Sequence, residues 1–313
     1  MLRQIDLMGN TIDKVQMAID RLRAFEPAEG YYLAFSGGKD SVVIKAIADM
    51  AGVKYDAHYN ATTVDPPELV RFIKFEYPDV TIEKPEIPMI KLIAKKRMPP
   101  TRLFRYCCAY YKESASNGRV TITGARWAES INRKRNQGIV VLMNKSTEVK
   151  KIAEQNDADY RQTARGGIVM NDDNSESRRT VEMCYRTNKT LVNPIVDWTD
   201  EEVWEFIHGY KIPYCSLYDE GWKRLGCVGC PMGGGESMIR EFERWPAIRK
   251  MYMRAFADMM EGRKRDGLET MMWESAEDVM DWWTSKKRHW KERGQIEMEI
   301  EEMMGDGYDP KDE

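Results

Sequence analysis

The chain has 313 residues, 42% of them hydrophobic and 32% charged, with nine Trp, six Cys and a net charge of −3. This composition excludes a disordered chain and suits one large domain, or one domain with an appendage. No apolar run approaches the ~18 residues of a membrane span, and Met1–Asp6 lacks the basic and apolar regions of a secretory signal, so a cytoplasmic protein with reduced thiols is expected.

In chain order, residues 12–25 alternate apolar and charged side chains at helical spacing. Tyr31–Phe35 reads as a short buried strand, followed at once by the turn Ser36-Gly37-Gly38-Lys39-Asp40-Ser41. Ser41–Ala48 reads as a helix ending near Gly52, Lys54–Tyr59 as a second strand, and Glu68–Tyr77 as a second helix after the Asp65-Pro66-Pro67 turn. Arg119–Thr123 is a later strand that runs into Gly124. The polar stretch of about 144–180 reads as an insertion or a mobile loop, and Leu191–Ile195 resumes the sheet. Thr199 is placed to cap a helix, with Glu202 three residues on. Beyond Pro231 the chain is helical and Met-rich, and Trp245, Met251, Met260, Trp273, Trp282 and Trp283 read as packing residues. Strands alternating with helices predict an α/β fold, an open, mostly parallel sheet with helices on both faces, plus a helical C-terminal appendage. The expected organisation is an N-terminal helix (1–27), a nucleotide-binding domain (28–235) and a helical region with an acidic tail (236–313).

Charge is unevenly spread. Lys91–Arg135 holds twelve Lys or Arg against Glu113 and Glu129, and Glu292–Glu313 holds nine acids against Arg293 and Lys311. The basic stretch predicts attraction for an anion, either a nucleotide, a sulfate ester or a nucleic acid. The acidic tail is expected to serve solubility.

The glycine turn carries the most specific chemistry. Two glycines permit a tight turn and close approach to an anion, and the following helix presents unpaired N–H groups and partial positive charge. Ser36 and Ser41 add hydroxyls, and Lys39 adds a full charge. Arg126 and Arg133 can each offer a two-pronged contact to phosphate or sulfate, with Glu129 one helical turn from Arg133, and Gly124 permits close backbone approach at a strand end. Asp40 is a candidate for holding Mg2+ through the phosphates, with Asp65 and Glu68 weaker candidates. His58, His208 and His289 form no recognisable triad.

Ser36–Ser41 resembles the PP-loop of the N-type ATP pyrophosphatases and of the adenylylsulfate and phosphoadenylylsulfate (PAPS) reductases. Thr123–Ser130 with Arg133, Asn193–Ile195 with Trp198-Thr199 and Val203-Trp204, and Ile212–Tyr214 through Gly226-Cys227 resemble the reductase branch. The matches run in order from about residue 30 to about 232. The resemblance implies an adenine nucleotide alpha hydrolase-like fold. It also implies Ser36, Gly37, Gly38, Lys39, Asp40, Ser41, Gly124 and Arg126 around ATP, adenylylsulfate or PAPS, and catalytic roles for Lys39, Asp40, Arg126 and Arg133.

Cys107-Cys108 and Cys227-Val228-Gly229-Cys230 supply four thiols, which suit a [4Fe–4S] cluster or a zinc ion; a simple redox Cys-x-x-Cys is the third reading. The pattern resembles the iron–sulfur signature of adenylylsulfate reductases. Cys215 is an alternative ligand to Cys107 or a reactive thiol, and Cys184 reads as a packed thiol.

The reductases carry a catalytic Cys in a C-terminal tail, whereas the last Cys here is Cys230, which leaves Cys215 as the stand-in nucleophile. Asn60–Pro67 is similar to DNA phosphorothioation-type sulfurtransferases. The leading expectation is therefore ATP-dependent adenylylation and sulfur transfer to a nucleic acid or other acceptor, with a cysteine desulfurase or thioredoxin as sulfur or electron partner. Adenylylsulfate or PAPS reduction is the alternative, and a non-catalytic nucleotide-binding regulator is the third.

Overall fold

A computed structural model describes residues 1–5, 9, 11–113, 116, 118–143, 147–163, 166–186, 189–268 and 273–285. The acidic tail and His289 lie outside the described residues. The chain forms two compact units: Met1–Tyr59, Pro67–Glu83 and Ser116–Leu225 make the first, and Asn60–Pro66, Lys84–Ala115 and the segment from Gly226 onward make the second. The C-terminal helices thus group with two excursions from the N-terminal half.

In the first unit, β1 (Arg3–Ile5) and β2 (Thr11–Asp13) form an antiparallel ribbon. The main sheet contains β3 (Tyr31–Ala34), β4 (Tyr55–Asn60), β5 (Thr81–Glu83), β6 (Val120–Ile122), β7 (Val140–Leu142), β8 (Arg161–Gln162), β9 (Ile168–Met170) and β10 (Thr190–Val192). Their order is β5-β4-β3-β6-β10-β7-β9-β8. β3 runs parallel to β4 and β6, and β6 runs parallel to β10. β7, β9 and β8 extend this parallel centre as antiparallel strands. The α/β architecture read from the sequence is therefore present. Tyr31, Leu33, Val120, Ile122 and Val192 are buried with almost no exposure, as strands covered by flanking helices require.

The segment 144–180 corrects the loop reading. It carries the helix Thr147–Gln155, β8, β9 and the start of the helix Ser175–Cys184. Its composition hid this because the first helix buries only Val149 and Ala153, while the apolar run of β9 is three residues long.

The helices that frame the glycine turn have clear local causes. Lys39–Ala51 starts at Gly38, buries Val42, Val43, Ile44, Ile47 and Ala48, and stops at Gly52, whose φ of 69° is left-handed. Asp200–Gly209 starts with a reciprocal cap: Thr199 Oγ1 accepts from the Glu202 amide at 3.3 Å and Glu202 Oε2 accepts from the Thr199 amide at 2.9 Å. Glu202 also pairs with Lys14 at 2.7 Å, tying this helix to Lys14–Ala24.

In the second unit, the helix Pro246–Arg265 packs on the helix Met89–Lys96, burying Tyr252, Phe256 and Met259 on one and Met89, Leu92 and Ile93 on the other. Phe242, Tyr252, Phe256 and Trp283 form an aromatic cluster, with Trp283 4.9 Å from Tyr252 and 5.4 Å from Phe256 between ring centres. Trp245, Trp273 and Trp283 are buried, as packing residues should be. Among the described residues, no helix is long and apolar enough to cross a membrane.

Replacing Thr199 by Ala removes the side-chain half of the reciprocal cap. Urea unfolding at neutral pH should show a loss of about 1 kcal/mol.

Candidate active site

In the first unit the turn leaves β3 and opens the helix Lys39–Ala51. Gly37 has a φ of 71°, and a Cβ there would come within 2.7 Å of Leu69 Cδ1 and 2.9 Å of Ile73. Its glycine is required by the packing of the helix Pro67–Glu76 as well as by the turn. Three hydroxyls surround Gly38. Its amide donates to Ser36 Oγ at 3.4 Å, its carbonyl accepts from Ser41 Oγ at 2.8 Å, and Ser36 and Ser41 Oγ lie 3.3 Å apart. The third hydroxyl is Tyr218 Oη, which accepts from the Lys39 amide at 2.8 Å. The sequence placed Tyr218 only on the approach to the cysteine pair, because its contact with Lys39 spans 179 residues.

Gly124 also has a steric cause. A Cβ there would meet Asp40 Cβ at 2.9 Å and the Asp40 backbone at 3.1 Å, so the glycine lets the end of β6 close on the start of the turn helix.

Arg126 does not offer its fork to a phosphate. It is 1% exposed. Its Nε donates to Asp40 Oδ1 at 2.7 Å, Nη1 to the Trp198 carbonyl at 3.1 Å, and Nη2 to Asp200 Oδ1. A buried guanidinium needs such partners. Asp40, the candidate Mg2+ residue, gives one carboxylate oxygen to this knot. Lys39 Nζ lies 3.7 Å from Asp40 and 3.5 Å from Asp200, so two cations face two anions. Asp200, read from the sequence only as part of a helix start, is thus a member of the site. Burial pushes its carboxyl up, but the Arg126 hydrogen bond and the Lys39 charge outweigh this and hold it below the usual carboxylate range. Arg133 pairs with Glu129 at 3.2 Å on a half-exposed surface, as the spacing suggested.

The basic stretch Lys91–Arg135 is partly neutralised locally. It divides between the two units, and Arg97, Arg119, Arg126 and Arg133 are paired with Asp266, Asp56, Asp40 and Glu129.

The remaining candidates have other duties. Asp65 caps its own loop by accepting from the Thr62 amide and hydroxyl at 2.7 and 2.8 Å. His58 lies between Asp56 and Glu83, and His208 stacks on Trp204. Cys215 belongs to the first unit and is 1% exposed, and burial pushes its thiol up. This is the opposite of an activated thiolate, so Cys215 lacks the setting of a nucleophile. Cys184 is fully buried, and burial raises it to about 11, in keeping with a packed thiol.

In the second unit, Cys107 and Cys108 lie on a short helical turn, Tyr106–Cys108, that continues into the π turn Ala109–Glu113. Cys227 and Cys230 bracket a loop held from three directions. The Val228 amide donates to the Val64 carbonyl at 2.9 Å, the Gly229 amide to Glu241 at 2.6 Å, and Tyr252 Oη to the Val228 carbonyl at 3.0 Å. Gly229 has a φ of 74°, and a Cβ would strike Phe242 at 2.7 Å. The four thiols act on one another. The Cys108 hydrogen bond, burial, and the Cys108, Cys227 and Cys230 charges all push Cys107 up. Lys112 Nζ lies 3.3 Å from Cys227 Sγ. None of the six cysteines is in a disulfide. Among the described residues, no three His, Cys, Asp or Glu side chains group as ligands of one metal ion.

The lowered pKa of Asp200 sets a pH dependence. A depressed carboxylate contributes stability above its unfolded value, roughly pH 3.9, and loses it as pH falls through the folded value. The melting-temperature gap between wild type and Asp200→Asn should be open at pH 7 and close below about pH 4.

Three adenosine 5'-phosphosulfate reductases are among the similar proteins. That of Oceanobacillus iheyensis is 23% identical over 238 residues, covering 70% of this chain and 78% of that protein. That of Bacillus anthracis is 32% identical over 74 residues, covering 23% and 33%. That of Allochromatium vinosum is 41% identical over 39 residues, covering 12% and 15%. A solved phosphoadenylyl-sulfate reductase from Candida auris, in a phosphate complex, aligns with a TM-score of 0.39 and 17% identity, over 67% of this chain and 87% of that one. Residues 30–232 match the phosphoadenosine phosphosulfate reductase domain, well over half of the chain, and the protein belongs to that family.

Proposed function

We propose that this enzyme binds an adenylyl sulfate ester at the Ser36–Ser41 turn and reduces its sulfate to sulfite. The observation that carries this reading is the turn itself: three hydroxyls and Lys39 gathered at the head of a 13-residue helix, in a chain of the reductase family. Sulfate and pyrophosphate are both anions that suit a helix N-terminus, so the turn alone does not choose between them. The named relatives act on adenosine 5'-phosphosulfate, and this ranks reduction above the ATP-dependent sulfur transfer expected from the sequence. The pairing of Arg97, Arg119, Arg126 and Arg133 with carboxylates weakens the support for a nucleic-acid acceptor.

The reaction balances with two thiols. Because Cys215 lacks the setting of a nucleophile, both thiols belong to the dithiol reductant: its first thiolate attacks the sulfonyl sulfur, an S–S bond forms, and the S–O bond to phosphate breaks with its electron pair leaving on AMP. A second thiol attacks the thiol-derived sulfur, releasing sulfite and forming a disulfide. The two electrons come from a dithiol reductant of the thioredoxin type. In this scheme Lys39 neutralises charge on the departing phosphate, and the Arg126–Asp40–Asp200 knot holds Lys39 in place. Cys107, Cys108, Cys227 and Cys230 would hold a [4Fe–4S] cluster, whose contribution when bound is electrostatic and redox tuning. Six cysteines without a disulfide suit a reducing cytoplasm.

Adenosine 5'-phosphosulfate and its 3'-phosphorylated form, each offered with a dithiol reductant, should yield sulfite and an adenine nucleotide. Absence of sulfite together with pyrophosphate release from ATP would replace this reading with the transferase one. Lys39→Ala should weaken adenosine phosphosulfate binding by roughly 1.5–3 kcal/mol in calorimetry.

Anaerobically purified protein should carry about four irons per chain. Cys230→Ser should lose them and Cys215→Ala should keep them. One zinc and no iron would exclude the cluster.

A further inference from the structure

Tyr218 is the hydroxyl that the sequence did not place at the turn. Its oxygen takes the Lys39 amide, one of the helix N–H groups that a glycine turn would otherwise direct at a ligand. Gly38 marks where it points: a Cβ built on Gly38 would lie 3.4 Å from both Tyr218 Oη and Ser36 Oγ. Two hydroxyls therefore flank a position that the glycine keeps clear of side-chain atoms.

The ring is held in this pose. It meets Trp204 edge-on at 5.1 Å between centres, and Trp204 in turn stacks on His208 at 5.5 Å. The backbone is fixed by the short turn Ser216–Tyr218, whose neighbour Leu217 is fully buried. A phenol hydroxyl both accepts and donates. Here the acceptor side is used by Lys39, and among the described residues its own proton meets no acceptor. Burial pushes the phenol up, so it keeps that proton at every physiological pH.

We propose that Tyr218 is a substrate-binding residue that relays the helix N-terminus to the nucleotide: it accepts from the Lys39 amide and donates its proton to an oxygen of the ligand's phosphate or sulfate. The proposal rests on the reading of the turn as the adenylyl-sulfate site. The competing role is a plain cap, in which Tyr218 only satisfies the Lys39 amide and competes with the anion for it. The two roles have opposite consequences. Removing a relay loses a donor, whereas removing a cap frees one.

The test compares wild type, Tyr218→Phe and Tyr218→His, titrating adenosine 5'-phosphosulfate, AMP and adenosine by calorimetry, with thermal melts to verify folding. Tyr218→Phe deletes one oxygen and should weaken both anionic ligands about tenfold while leaving adenosine unchanged. Tyr218→His keeps a ring and a polar N–H and should stay within about threefold of wild type, which keeps the proposal testable if the Phe variant melts early. Unchanged or tighter anion binding by Tyr218→Phe, with wild type still binding, would overturn the relay and leave the site reading intact. Equal loss for adenosine and the anionic ligands would overturn it too, by showing a general packing defect. Failure of wild type to bind any of the three would overturn the site reading and the relay with it.

Discussion

A guanidinium cannot be buried alone, and much of the nucleotide-binding unit follows from meeting that requirement for Arg126. Its three donors reach the first turn of the helix Lys39–Ala51, the Trp198 carbonyl and the first turn of the helix Asp200–Gly209. Arg126 itself follows the strand β6. One side chain therefore ties the end of a central strand to two helix starts, and it does so where ligands bind in open α/β sheets. Gly124 serves the same closure from the steric side, since any Cβ there would push Asp40 away from the strand.

The knot also sets the electrostatics of the turn. Lys39 and Arg126 are balanced by Asp40 and Asp200, so this group of four carries no net charge. On the proposed reading, attraction for an anion would then come from the helix terminus, the surrounding hydroxyls and the exchange by Lys39 of a carboxylate at 3.5 Å for a ligand oxygen. The hydroxyls converge because small residues leave room for them, which gives Gly38 and Gly37 different tasks. Gly38 keeps the side facing Ser36 and Tyr218 clear, and Gly37 accommodates the helix behind it.

The thiol unit is organised by packing rather than by charge. The loop between Cys227 and Cys230 is fixed by hydrogen bonds from its backbone to the Val64 carbonyl, the Glu241 carboxylate and the Tyr252 hydroxyl, and Phe242 fills the space beside Gly229. The aromatic cluster of Phe242, Tyr252, Phe256 and Trp283 forms the wall behind it. The Met- and Trp-rich helices therefore build the rigid support that the Cys-x-x-Cys loop requires.

What the sequence determined by itself was local. The strand–turn–helix at Tyr31–Ala51, the Thr199–Glu202 cap and the Glu129–Arg133 pair were legible because each rests on residues a few positions apart. The polar insertion was misread because its helix buries only two side chains and its strands are two and three residues long, too short for a periodic signal. Tertiary structure alone decided which charged groups were free. Arg126 looked like a phosphate ligand until Asp40 and Asp200, 86 and 74 residues away, claimed its fork. Cys215 lay near the Cys-x-x-Cys in sequence but belongs to the other compact unit. Tyr218 joined the turn across 179 residues. Residue type and spacing specify what a side chain can do, but burial and long-range hydrogen bonding determine which of those capacities remains available to a ligand.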